Sequence, residues 1–164
     1  MSFDFADYLR EARQMFPEIA AEWEMPIKRD DFVLNDYLNL TATLGSLMQA
    51  TKALNLNIPA NEVDSAPVVE IYAQGLVQFL LISLKQQWTH LMVLEDSDLV
   101  QLKKFPQMHL NHQFMGIQTM LLNSYHQKRQ ADFSHAWRSY LKLGLFELKL
   151  GEDEIDVAVR KIVG

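Results

Sequence analysis

In EIYAQGLVQFLLISL, residues Glu70 to Leu84, apolar side chains recur at helical spacing. Tyr72, Leu76, Phe79, Leu80, Ser83 and Leu84 lie on or near one side of a helix. Ile71, Val77, Leu81 and Ile82 fill much of the other. A helix so apolar around its circumference belongs at the centre of a fold or at a subunit interface. Gln74 and Gln78 interrupt the run, and Glu70 and Lys85 bound it. By that reading it is too short and too polar to cross about 30 Å of hydrocarbon, and no membrane partner is expected.

The same periodicity extends to both sides. Residues 3–16 read as an amphipathic helix with Ser2 as N-cap, punctuated by Pro17 and followed by a short turn over Glu18 to Glu24. A second long helix runs from the Asp30–Asp31 pair to Leu54, with the stripe Val33, Tyr37, Leu40, Leu44, Leu47, Thr51 and Leu54. Gly45 sits inside it, which points to close approach by a neighbouring backbone. After a polar loop, Asp64 or Ser65 caps the apolar helix, which extends to Leu94 with Pro67 in its first turn. Asp96 or Ser97 caps a short piece. Asn111 caps a fourth helix carrying Phe114, Ile117, Leu121 and Tyr125, and His126 to Asp132 reads as a loop. Phe133, Trp137, Tyr140, Gly144 and Leu148 mark a fifth helix closed by Gly151, and a last one begins at Glu152-Asp153-Glu154. Strand-type alternation is hard to find. The expectation is one all-α domain over residues 1–164: an N-terminal helical segment (1–30), then a bundle of four to five main helices (31–164).

Composition narrows the function classes. The chain has 164 residues, no cysteine, and a net charge of -6 from 15 basic and 21 acidic residues. Disulfides, thiolate metal sites and thiol nucleophiles are excluded, and the absence of cysteine fits a cytoplasmic location. A net acidic surface argues against nucleic acid as partner. No glycine-rich phosphate loop or nucleophile elbow is present. His109 and His112 share helical spacing but lack a carboxylate partner, so a surface or capping role is favoured over metal binding. His90, His126 and His135 are isolated. Glu18, Glu22 and Glu24, and the group Glu152 to Asp156, read as solvated or dipole-complementing acids before they read as ligands. The Lys103-Lys104 and Lys128-Arg129 pairs read as solubilising, and the 8 methionines as core filler.

Glu70-Ile71-Tyr72-Ala73-Gln74-Gly75-Leu76-Val77-Gln78-Phe79-Leu80-Leu81, with Thr43-Leu44-Gly45-Ser46-Leu47 before it, resembles the paired helices of the dimeric dUTPases. These belong to the all-α, MazG-like NTP pyrophosphatase superfamily. Residues 133–155 are similar to that family's closing helices. The resemblance implies a homodimeric helical bundle that cuts a nucleoside triphosphate to a monophosphate and pyrophosphate. In the family, two acidic pairs on facing helices hold Mg²⁺. Here the first pair corresponds to Thr43 and Ser46, the second to Ile71 and Gln74, and the family's His to Gln78. None carries charge, and only neighbouring Glu70 is anionic. The resemblance therefore implies a relative without metal or cofactor, catalytically inactive, scaffolding a nucleotide or a protein through Thr43, Ser46, Glu70, Ile71, Gln74 and Gln78. One alternative is an active pyrophosphatase that relocates its Mg²⁺ ligands to Glu70 with Glu18, Glu22 or Glu24. Another is a helical interaction module unrelated to nucleotides.

Overall fold

The computed structural model describes residues 3–21, 28–54, 65–105 and 109–164. Among these the fold is all-helical: α1 (Phe5–Ala21), α2 (Arg29–Ala50), α3 (Ser65–Gln86), α4 (Asp96–Leu102), α5 (Leu110–Gln127), α6 (Gln130–Lys142) and α7 (Glu152–Val163). A 3-10 turn, Thr89–Leu91, follows α3, and a π-helical turn, Leu143–Glu147, extends α6.

α3 occupies the centre. α2 packs along one flank of it, α1 and α7 along another, and α5 pairs with α6. Much of the apolar circumference of α3 is thus covered within the chain, and Tyr72, Leu76, Phe79, Leu80 and Ile82 are fully buried. Phe79 enters an aromatic cluster with Phe133 at 5.7 Å, Trp137 at 5.3 Å and Tyr140 at 5.0 Å between ring centroids. The buried Trp137 indole donates to the Met92 carbonyl at 3.2 Å, which satisfies its one polar atom. The helix Pro67–Gln86 is long and apolar enough to cross a membrane by length and composition, because Pro67, Val68 and Val69 lengthen the run read from sequence; 61% of its apolar window is buried here.

Tyr72 on α3 and Tyr140 on α6 lock the two helices together. Their rings stack at 4.4 Å with 4° between planes. The Tyr72 hydroxyl donates to the Tyr140 carbonyl at 2.8 Å, and the Tyr140 hydroxyl donates to the Tyr72 carbonyl at 2.6 Å. Each ring lies over a glycine of the opposite segment. A Cβ on Gly75 would stand 2.2 Å from the Tyr140 hydroxyl, and one on Gly144 would stand 2.1 Å from Tyr72 Cζ. Only glycine lets a tyrosine ring lie this close to the opposite backbone.

Several boundaries differ from the sequence reading. α1 runs through Pro17, and Asp4 caps it by accepting the Asp7 N–H at 3.0 Å, whereas Ser2 lies outside the described residues. α2 stops at Ala50 and not Leu54, because Lys52 turns left-handed (φ 60°). α3 ends at Gln86 and not Leu94, where Gln87 adopts φ 61°. Asp98 accepts the Glu95 N–H at 3.0 Å, so α4 is capped from Glu95 and not from Asp96 or Ser97. His109 and not Asn111 precedes α5, and the expected loop from His126 shrinks to Lys128 and Arg129. Gly151 stands at the N-terminus of α7 with an ordinary φ of -70°, so it does not close the preceding helix. Gly45 meets nothing within 4 Å of an added Cβ; the close approaches are at Gly75 and Gly144 instead.

Candidate functional site

The two helices singled out by the sequence do pack against each other, and the positions of interest sort by burial. On α2, Thr43 is buried and Ser46 exposed; on α3, Glu70 and Gln74 are exposed, while Ile71 and Gln78 are partly buried. Thr43 turns its methyl toward α3, where Cγ2 lies 3.5 Å from the Cβ position of Gly75, beside the Tyr140 hydroxyl. That hydroxyl carries the tyrosine lock, so Thr43 is part of the packed seam. Gln78 presents a buried amide oxygen that finds no hydrogen-bond donor among the described residues.

The residues present do not fit Mg²⁺. Ile71 has no donor atom, Thr43 and Ser46 offer one neutral hydroxyl each, and Gln74 offers a neutral amide. Mg²⁺ gives up water reluctantly and is held through carboxylates and phosphates. None of these four positions supplies a carboxylate.

Glu70 and Gln74 instead form one wall of a groove between α3 and α7, of about 580 Å³. Its opposite wall carries Asp153, Glu154 and Lys161, and Val157, Ala158 and Ile162 provide apolar surface. Val157 is 55% exposed, on the side of α7 away from the buried Ile155 and Val159. Glu70 and Gln74 are one turn apart and so share a face. The acids at the start of α7 complement its dipole, as their first-turn position predicts, and Asp153 and Glu154 also charge this groove.

The other acidic positions divide. Asp156 is engaged in a network that ties α1 to α7: it accepts from the Tyr8 hydroxyl and from Arg160 Nε at 3.3 Å. Arg160 also reaches Asp7 at 2.9 Å and lies over the Tyr8 ring at 5.3 Å. Burial, and then the Asp156 carboxylate, push the Tyr8 hydroxyl well above the usual tyrosine range. The side chain of Glu18, and Glu22 and Glu24 altogether, lie outside the described residues. His109 and His112 are exposed with ring centroids 6.3 Å apart, and His90 bonds Gln130 at 3.1 Å. Among the described residues, no group of three or more acidic or histidine side chains stands close enough to hold a metal ion. Lys103, Lys104, Lys128 and Arg129 are exposed.

Two ion pairs have no counterpart in the sequence reading. Lys85 at the end of α3 bonds Asp36 in the buried stripe of α2, with side chains only 10% and 11% exposed. Burial pushes the Asp36 carboxyl up, and the Lys85 ammonium opposes that shift. Lys142 and Glu147 pair at 3.3 Å across the π-helical turn. Residues five apart face the same way only where the helix widens to i→i+5 bonding, and Leu148 donating to the Leu143 carbonyl at 2.8 Å is such a bond.

No family model, curated protein or solved structure matches this chain.

Proposed function

We propose that this chain is a non-catalytic relative of the all-α NTP pyrophosphatases that works as a protein-binding scaffold, homodimeric and cytoplasmic. The observation that carries the reading is the donor set at the four inherited ligand positions: Thr43, Ser46, Ile71 and Gln74 are all uncharged, and Thr43 is buried in the α2–α3 seam. Thr43 serves helix packing there, and none of the four supplies the negative charge that would hold a divalent ion.

The groove between α3 and α7 is the binding face in this reading. Its volume of about 580 Å³ lies within the ~300–1,000 Å³ of ligand sites. Glu70, Asp153 and Glu154 outweigh Lys161, so its field repels a nucleotide triphosphate that brings no metal. The apolar residues Val157, Ala158 and Ile162 favour an occupant with an apolar stripe. The chemistry that fits both is a cationic amphipathic helix from a partner protein. A nucleotide bound without metal is the competing occupant.

Amide NMR titrations separate the two. A helical peptide of alternating Leu and Lys faces should shift Gln74, Val157 and Ile162, and Glu70→Lys with Glu154→Lys should abolish the effect. Shifts produced by dUTP in EDTA and not by the peptide would replace the protein-binding reading with a nucleotide one.

One observation favours a second reading. Glu70, Asp153 and Glu154 line a single groove, but no three acids among the described residues stand close enough to hold a metal ion, so an active pyrophosphatase with relocated ligands would have to draw the α7 carboxylates nearer to Glu70. Turnover assays decide between the two.

A further inference from the structure

A second cleft lies on the other end of α3, where it meets α1 and the start of α2. It has a volume of about 250 Å³ and is lined by Arg13, Arg29, Leu81, Leu84, Lys85 and Gln87. Three cationic side chains from three helices meet there in a chain whose net charge is -6. Their surroundings differ. The Lys85 ammonium is matched by the Asp36 carboxylate, which leaves that pair locally neutral. Arg29 donates from Nη2 to the Lys85 backbone carbonyl, which fixes its guanidinium at the mouth of the cleft. Among the described residues, neither Arg13 nor Arg29 has a carboxylate partner, whereas Arg10, Arg129 and Arg160 each have one. The positive field of the cleft therefore comes from two guanidinium groups, one of them held in place by the backbone.

We propose that this cleft binds a small phosphate monoester with an apolar body. A guanidinium is a planar fork that matches two phosphate oxygens at once, and two of them can hold a dianion. Leu81 and Leu84 supply the apolar wall on which the rest of the molecule lies. The volume falls just below the ~300 Å³ lower bound of drug-sized sites, which suits a single ring or short chain. The site is independent of the α3–α7 groove, which lies at the opposite end of α3, so either one can fail without the other.

The test uses phenyl phosphate as probe, with inorganic phosphate and phenol as controls, in calorimetric titrations of the full chain. Phenyl phosphate should bind saturably, more weakly as salt is raised, and at least about tenfold more tightly than inorganic phosphate, with phenol not binding. Arg13→Gln and Arg29→Gln should each weaken it about tenfold or more, and Arg29→Lys, which keeps the charge but loses the fork, should weaken it less than Arg29→Gln. Both arginines are exposed, and circular dichroism of each variant verifies that the helices persist. No saturable binding, equal affinity for inorganic phosphate, or unchanged affinity in both Gln variants would overturn the proposal. Co-sedimentation with phosphatidic acid vesicles without phenyl phosphate binding would also overturn it, because the phosphate would then be recognised at a lipid surface.

Discussion

Gly144→Ala probes the tyrosine lock more sharply than any other single change. The new Cβ would stand 2.1 Å from Tyr72 Cζ, 2.3 Å from its hydroxyl and 2.5 Å from Cε2. These are ring atoms of a side chain with no exposed surface, stacked on Tyr140 and bonded to its carbonyl. The ring has nowhere to retreat. Moving it breaks a buried hydrogen bond, at about 1–3 kcal/mol, and disturbs a stacked pair worth about 0.5–1.5 kcal/mol. Overpacking adds about 1–3 kcal/mol. We expect a loss of about 3–5 kcal/mol, a large share of the ~5–15 kcal/mol by which domains are stable. Gly45→Ala is the matched control. It sits in a helix with nothing within 4 Å of the new methyl, and helix propensity alone should stabilise it by about 0.5–1 kcal/mol. Urea unfolding followed by fluorescence of the buried Trp137 measures both. A Gly144→Ala loss below about 1 kcal/mol, or a Gly45→Ala loss of similar size to it, would refute the assignment of the close approach to the α3–α6 contact.

Three further outcomes follow from the ion pairs and the surface. Lys85→Met strands Asp36 in the α2–α3 seam and should cost about 3–5 kcal/mol at pH 7. Asp36 has its carboxyl raised by burial in the fold, so it contributes stability below its unfolded pKa and loses it as pH rises through the folded value. The Lys85→Met deficit should therefore shrink at about pH 4, and an equal deficit at both pH values would contradict a buried charge. Arg160→Ala should lower the melting temperature by untying α1 from α7, and the drop should be smaller in about 1 M NaCl, where charges are screened beyond ~3 Å; a salt-independent drop would assign Arg160 to packing. Leu34 and Leu38, 39% and 60% exposed one turn apart on α2, offer a dimer surface, since much of α3 is already covered. Light scattering should give twice the 19.0 kDa chain mass, and Leu38→Glu should return it to a monomer; a monomeric mass for the unaltered protein rules the dimer out.

The helical class was legible because period 3.6 needs only apolar spacing, and the stripes of α2 and α3 are intact. The breaks were not, and the reason is chemical. Among the described residues the left-handed positions are Lys52, Gln87, Lys128 and Lys149, and no glycine has positive φ. Glycine, which marks breaks in most sequences, here sits inside helices at Gly45, Gly75, Gly116 and in the π turn at Gly144. Lysine and glutamine carry no turn signal, so periodicity alone extends the second and third helices past their ends. The π turn was invisible because Leu143 and Gly144 continue an α-helical stripe. At the candidate site, the loss of charge at Thr43, Ser46, Ile71 and Gln74 is plain from residue identity. The turning of Thr43 into the seam, the lining of one groove by Glu70, Asp153 and Glu154, and the Asp36–Lys85 pair join residues distant in sequence and needed the packed structure.

The proposal that the α2–α3 seam handles neither metal nor nucleotide is tested most directly by pyrophosphate release. Each common dNTP and NTP is incubated with the protein in Mg²⁺ or Mn²⁺, with an EDTA control. The account predicts release no faster than the protein-free blank with every substrate. Release that EDTA abolishes and Glu70→Gln diminishes would contradict it.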